Sequence, residues 1–188
     1  MKLKILSDIA WSASCLVRTG WMQRGVPPSL GESVADHSFS AALIAYEIAL
    51  ELKDNGVDID PERAALIALY HDLHEVIVGD IPKWSADRAN DVKESLEKEA
   101  IGEMKRWLRG VKLAEEYFED TKEAIVARIA EKLSTYFQAL RYENMGIERV
   151  EEIADSTLKG VLKEAERLKE IDEEAWRIVR KMLSMEGI

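Results

Sequence analysis

With 188 residues, 47% hydrophobic and 33% charged, the chain can bury one continuous core without disulfides, and its composition excludes a disordered tract. A formal net charge of −10 excludes tracking along a polyanion backbone, so long nucleic acid is not an expected partner. A small phosphate ester stays compatible, because one metal and a few local cations overcome an unfavourable overall field.

The single cysteine, Cys15, suits a reducing interior, so a cytoplasmic setting is expected. No apolar stretch reaches the roughly 20 residues of a bilayer span, and no membrane partner is expected. Helical periodicity dominates and strand-type alternation is scarce, which predicts an all-α fold, a single-domain helical bundle over residues 1–188. A first helix is predicted from Leu3 to about Val17, ending before Gly20; Asp8 and Arg18 interrupt any signal-like core. Gly25-Val26-Pro27-Pro28-Ser29-Leu30-Gly31 is loop by composition. Ser33-Val34-Ala35-Asp36 resembles a capping box with Asp in place of Glu, opening a second helix that runs to about Leu52.

Asn55-Gly56 marks a turn. Asp60-Pro61 then starts a third helix, because Asp caps and Pro is pre-set for the first helical position. That helix is predicted from Glu62 to about Val78, closed by Gly79 and stopped by Pro82. Ala86 to Gly110 reads as one charged helix with Leu96, Ile101, Met104 and Leu108 on a narrow apolar side. From Thr121 to Glu143, Ile125, Ile129, Leu133, Tyr136 and Leu140 share one face, and Ala124, Ala127, Glu131, Ser134 and Gln138 the other. A helix lined on both sides in this way is expected to be sandwiched. The tail from Val150 to Met185 reads as one or two amphipathic helices, wrapping the bundle or joining a partner chain.

The segment Leu69-Tyr70-His71-Asp72-Leu73-His74-Glu75 places imidazoles and carboxylates next to the apolar run 64–69, and burying such groups is costly unless something compensates them. In a continuing helix His71, Glu75 and Asp72 fall at about 0°, 40° and 100°, on one arc over which a cation fits. Divalent ions accept imidazole nitrogen and carboxylate oxygen together. The chain's three histidines, His37, His71 and His74, lie within two predicted helices, and antiparallel packing brings His37 beside His71. On the residues alone His37 reads equally as a ligand or as a satisfied helix-start histidine, and His74 reads as packing or support. A Gly-rich phosphate loop and a Gly-x-Ser-x-Gly elbow are missing and Cys15 has no histidine near it in sequence, which disfavours covalent catalysis.

The blocks Arg18-Thr19-Gly20-Trp21, Glu32-Ser33-Val34-Ala35-Asp36-His37-Ser38 and Tyr70-His71-Asp72-Leu73-His74-Glu75-Val76-Ile77-Val78-Gly79-Asp80-Ile81-Pro82 resemble the HD-domain metal-dependent phosphohydrolases. They are most similar to the small single-domain subgroup of bacterial 5'-deoxynucleotidases, over roughly Ile9 to Tyr142. The resemblance implies a fold of the HD-domain type and one divalent metal ion, Mn, Co, Zn, Ni or Fe. His37, His71 and Asp72 match three ligands. The fourth, an Asp in the family, matches Glu131, one methylene longer, whose plain alternative is a solvated Glu-Lys pair. Glu75 matches the acidic residue that positions the attacking water. Arg18 is implied for phosphate oxygens, Trp21 for packing on sugar or base, and Asp80 for the neighbourhood of the sugar. A turn carboxylate at Asp80 and hydrophobic packing of Trp21 under the Pro27-Pro28 loop are the alternatives. The implied activity is hydrolysis of (deoxy)nucleoside 5'-monophosphates to nucleoside and phosphate, with a small-molecule nucleotide as partner and a homodimer as assembly. Two other readings stand beside it: another HD-type nucleotide phosphohydrolase or phosphodiesterase, and a catalytically weak metal-binding regulatory module, which Glu131 favours.

Overall fold

In the computed structural model, which describes residues 3–188, the chain runs α1 (Leu3–Cys15), α2 (Thr19–Gln23), α3 (Val34–Asp54), α4 (Pro61–Tyr70), α5 (Glu75–Val78), α6 (Lys83–Ala86), α7 (Asn90–Met104), α8 (Leu113–Glu116), α9 (Lys122–Asn144), α10 (Glu151–Ile171) and α11 (Glu173–Met185). Among the described residues the one extended pairing is an isolated bridge between Val17 and Ser33. No described helix is long and apolar enough to cross a membrane.

The centre of the fold is α9, packed against α3 and α4 on one side and α10 on the other. Seven consecutive residues, Ala124, Ile125, Val126, Ala127, Arg128, Ile129 and Ala130, are buried, which only a helix covered all round achieves. The predicted sandwich is therefore observed. Small residues make the close approach possible. Ala41, Ala45 and Ala49 recur every four residues along α3, facing Ala64 and Ala68 of α4 and Ala127 and Ala130 of α9, all fully buried. Leu52, Ile67, Ile125, Ile129 and Leu168 fill the space between these stripes. The tail divides into two helices at Asp172, whose carboxylate caps α11 by accepting the Ala175 N–H at 3.0 Å. Both helices wrap the bundle, α10 on α9 and α11 on α10 and α3.

Three expected boundaries are corrected. The first helix stops at Cys15 because the Val34 N–H donates to the Leu16 carbonyl and the Arg18 N–H to the Glu32 carbonyl, at 2.9 and 3.0 Å, drawing the chain out of helix; the short α2 then follows. The third helix does not run to Val78. It ends at Tyr70, and residues 71–74 form turns in which the Leu73 and Glu75 amides reach back only three residues. The His71 ring meets the Ala68 carbonyl at 2.7 Å, the acceptor a continuing helix would offer to the Asp72 amide. The charged helix expected from Ala86 to Gly110 is broken at both ends. Residues 87–89 separate α6 from α7, and beyond Met104 the chain turns so that Leu108, Val111 and Ala114 join Ile101 and Met104 in a small core beside Leu6 and Ile9. Leu96, placed on that apolar side, is 41% exposed.

Candidate metal centre and substrate cleft

His37 stands in the first turn of α3, set there by the predicted capping box. Ser33 Oγ accepts the Asp36 N–H at 3.1 Å, and Asp36 Oδ2 accepts the Ser33 N–H at 3.0 Å. The turn after α4 supplies His71 and Asp72. Packing of α3 on α4 brings the two imidazoles to 5.2 Å between centroids, at 63°. A carbonyl only accepts, so the contact with Ala68 assigns the hydrogen to His71 Nδ1 and leaves a lone pair on Nε2. That Nε2 is 3.0 Å from Asp72 Oδ2, and His37 Nε2 is 3.7 Å from the same oxygen.

This arrangement suits a cation. Two acceptors face each other at 3.0 Å, which is favourable only with a proton or a cation between them, and neither ring nitrogen of the fully buried His37 has a hydrogen-bond partner. An unsatisfied buried polar group costs about 1–3 kcal/mol. One atom each from His37, His71 and Asp72 lies within 4.8 Å of the others, close enough for all three to reach one divalent ion. Burial, followed by the charges of Arg18 and His71, holds His37 well below its ordinary value, so its imidazole is neutral and one ring nitrogen keeps a free lone pair. Burial also lowers His71, but the charge and hydrogen bond of Asp72 outweigh it and raise the imidazole. Burial would lift Asp72, yet His71, then His37 and Arg18, keep its carboxyl well below the usual range.

His71 and Asp72 border a cleft of about 620 Å³ that Arg18, Trp21, Glu75, Asp80 and Glu131 also line. Glu75, at the start of α5, is buried and its Oε2 has no partner. Burial, with the charges of Asp72 and Asp80, pushes its carboxyl up to about 10. Arg18 donates to Glu32 Oε2 and Thr135 Oγ1, both at 3.1 Å. Trp21 is 2% exposed, donates its indole N–H to Glu32 at 2.9 Å and meets Tyr142 edge-on at 5.2 Å. Packing against Tyr142 and Val26 therefore describes most of its surface, with an edge left on the cleft. Asp80 follows Gly79, whose φ of 80° only glycine adopts without strain. Its carboxylate accepts the Thr19 N–H and its carbonyl the Thr19 hydroxyl, fastening this loop to α2.

Glu131 reaches the cleft from α9 without joining the three-residue group. Its Oε1 accepts the Tyr117 hydroxyl at 2.9 Å and pairs with Lys132. His74 is buried with Nε2 3.3 Å from Glu97 Oε1, a supporting contact rather than a ligand position. Sequence reasoning gave no role to Glu32, Tyr117 or Thr135. Glu32 had a signal, since it directly precedes the Ser33 capping box. Tyr117 precedes the Thr121 helix start in a segment without periodicity, and only tertiary packing reveals it.

Fold and site together define an all-α protein with a buried histidine–aspartate cluster that could hold a cation. The profile of the HD domain family matches residues 16–174, and the chain belongs to that family. A 5'-deoxynucleotidase of Dictyostelium discoideum is 34% identical over 140 residues, 68% of this chain and 70% of the relative. Another 5'-deoxynucleotidase, of Shigella flexneri, is 28% identical over 151 residues, 75% of each chain. Among solved structures, a conserved hypothetical protein of Pyrococcus furiosus superposes with a TM-score of 0.75 at 37% identity, covering 94% of this chain and 99% of the other.

Proposed function

We propose that this chain is a metal-dependent phosphomonoesterase that hydrolyses (deoxy)nucleoside 5'-monophosphates to nucleoside and phosphate. The observation that carries the reading is the convergence of His37, His71 and Asp72 beside a nucleotide-sized cleft, and the names of the relatives support the substrate class. His37, His71 and Asp72 would hold one divalent ion, Mn, Co, Zn, Ni or Fe, with Glu131 as fourth ligand. When bound, such an ion supplies Lewis acidity toward phosphate oxygens and acidifies water. Burial, and then the charges of Asp72 and Asp80, lift Glu75, and positive charge beside Asp72 would lower it again and favour its carboxylate. Glu75 then orients water for in-line attack on phosphorus and takes its proton; the P–O5' bond breaks, and that proton passes to the departing 5'-oxygen, so that nucleoside and phosphate leave. Arg18 offers charge to the phosphate oxygens, Asp80 faces the sugar, and Trp21 completes the wall.

The test is an assay of the purified chain with Mn, Co and Zn against nucleoside mono-, tri- and cyclic phosphates. The expected result is phosphate release from 5'-monophosphates, with Asp72→Ala lowering kcat/KM about a hundredfold or more. Pyrophosphate or an opened cyclic product in its place points to another HD-type phosphohydrolase or a phosphodiesterase. A weak regulatory module is the second reading, favoured by Glu131 standing with Tyr117 and Lys132 outside the group. Metal binding without turnover of any nucleotide establishes it. A homodimer built on the amphipathic α10 and α11, in a cytoplasmic setting suited to the lone Cys15, completes the proposal.

A further inference from the structure

We infer that Tyr117 is a positioning residue of the metal centre, its hydroxyl tethering Glu131 and its ring bracing His71. The inference rests on the reading of Glu131 as fourth ligand. The phenol donates to Glu131 Oε1 at 2.9 Å, and the ring lies 5.2 Å from the His71 imidazole with a tilt of 32°. One side chain therefore touches two of the four residues assigned to the ion, from a loop that supplies no ligand itself.

The position of Tyr117 is itself held. Arg128 donates to the Tyr117 carbonyl at 2.6 Å and to the Glu119 carbonyl at 2.9 Å, and through Nε to Glu164 Oε2 at 2.7 Å. Arg128 and Glu164 are both buried, so α9 and α10 clamp the backbone that carries the phenol. A glutamate has one more rotatable bond than the aspartate of the family pattern, and it loses more rotamer freedom when it coordinates. A fixed donor on Oε1 removes part of that freedom beforehand and leaves Oε2 available, since a carboxylate accepts at both oxygens. Groups that orient ligands in this way affect metal affinity about 10–100-fold.

Cobalt(II) titration of the full-length metal-free protein, followed by visible absorption, tests the assignment on Tyr117→Phe, Glu131→Ala and the double variant. Tyr117→Phe keeps the ring and Lys132 still pairs with the partly exposed Glu131, so its metal-free unfolding midpoint is expected to stay close to the parent's while cobalt affinity falls about tenfold or more and the absorption bands shift. Glu131→Ala weakens binding as well, and adding Tyr117→Phe to it changes nothing further. Parent-like affinity in Tyr117→Phe, with Glu131→Ala weakened, overturns the tyrosine's role alone. Additive losses in the double variant overturn the tether to Glu131. Parent-like affinity in Glu131→Ala overturns the fourth-ligand reading, and the tether with it.

Discussion

The hydrogen on His71 Nδ1, committed to the Ala68 carbonyl at 2.7 Å, leaves the Nε2 lone pair turned toward Asp72 and His37, which is what would let these neighbouring residues serve the proposed metal centre together. Glu75, buried with an unpartnered oxygen beside this group, is where loss of a proton acceptor should appear most cleanly. Glu75→Gln preserves shape, and kcat is expected to fall about a hundredfold or more with KM little changed, measured by steady-state phosphate release. Trp21 allows a sharper separation of roles. Its indole N–H serves the buried Glu32, so Trp21→Phe is expected to cost about 1–3 kcal/mol in urea unfolding. A raised KM with unchanged stability would instead make base or sugar packing its main task.

Among the elements, α4 and α9 carry the argument. The apolar run of α4 and its Asp60-Pro61 start were legible, but its end was not, because the competition for the Ala68 carbonyl depends on where the His71 ring points. In α9 the two-sided pattern announced burial, and the spacing of small residues announced close neighbours. The cap of α11 gives a pH test. Accepting the Ala175 N–H, and then pairing with Lys122, holds the Asp172 carboxyl below its ordinary 3.8. A carboxyl lowered by folding contributes stability above its unfolded value and loses it as pH falls through the folded one. Asp172→Ala is therefore expected to cost about 1 kcal/mol at neutral pH. In urea unfolding, the gap between the parent and Asp172→Asn should hold constant above about pH 4 and shrink below it.

For the molecule as a whole, an ion held by the proposed ligands would join α3, the turn after α4 and α9, so metal should stabilise the entire fold. A ligand of the native state alone contributes about 2.7 kcal/mol at a hundred times its Kd. In a chain of this size that raises the unfolding midpoint by about 5–10 °C. Calorimetry with and without chelator checks this, and Asp72→Ala should lose most of the shift. A dimer through α10 and α11 would sediment at twice the chain mass, and a monomer at every concentration would leave these helices as a coat for the bundle.

The all-α class, the opening of α3 by its capping box and the sandwiched α9 followed from the sequence, because periodicity and caps are local properties; His37, His71 and Asp72 stand out in the sequence through a family pattern, and the packing of α3 on α4 is what brings them together. The tertiary structure alone decided that α4 stops before His71, that Trp21 serves Glu32, and that Glu131 meets Tyr117 and Lys132. Each of these depends on which distant groups compete for one donor or acceptor, and that competition exists only once the helices have packed.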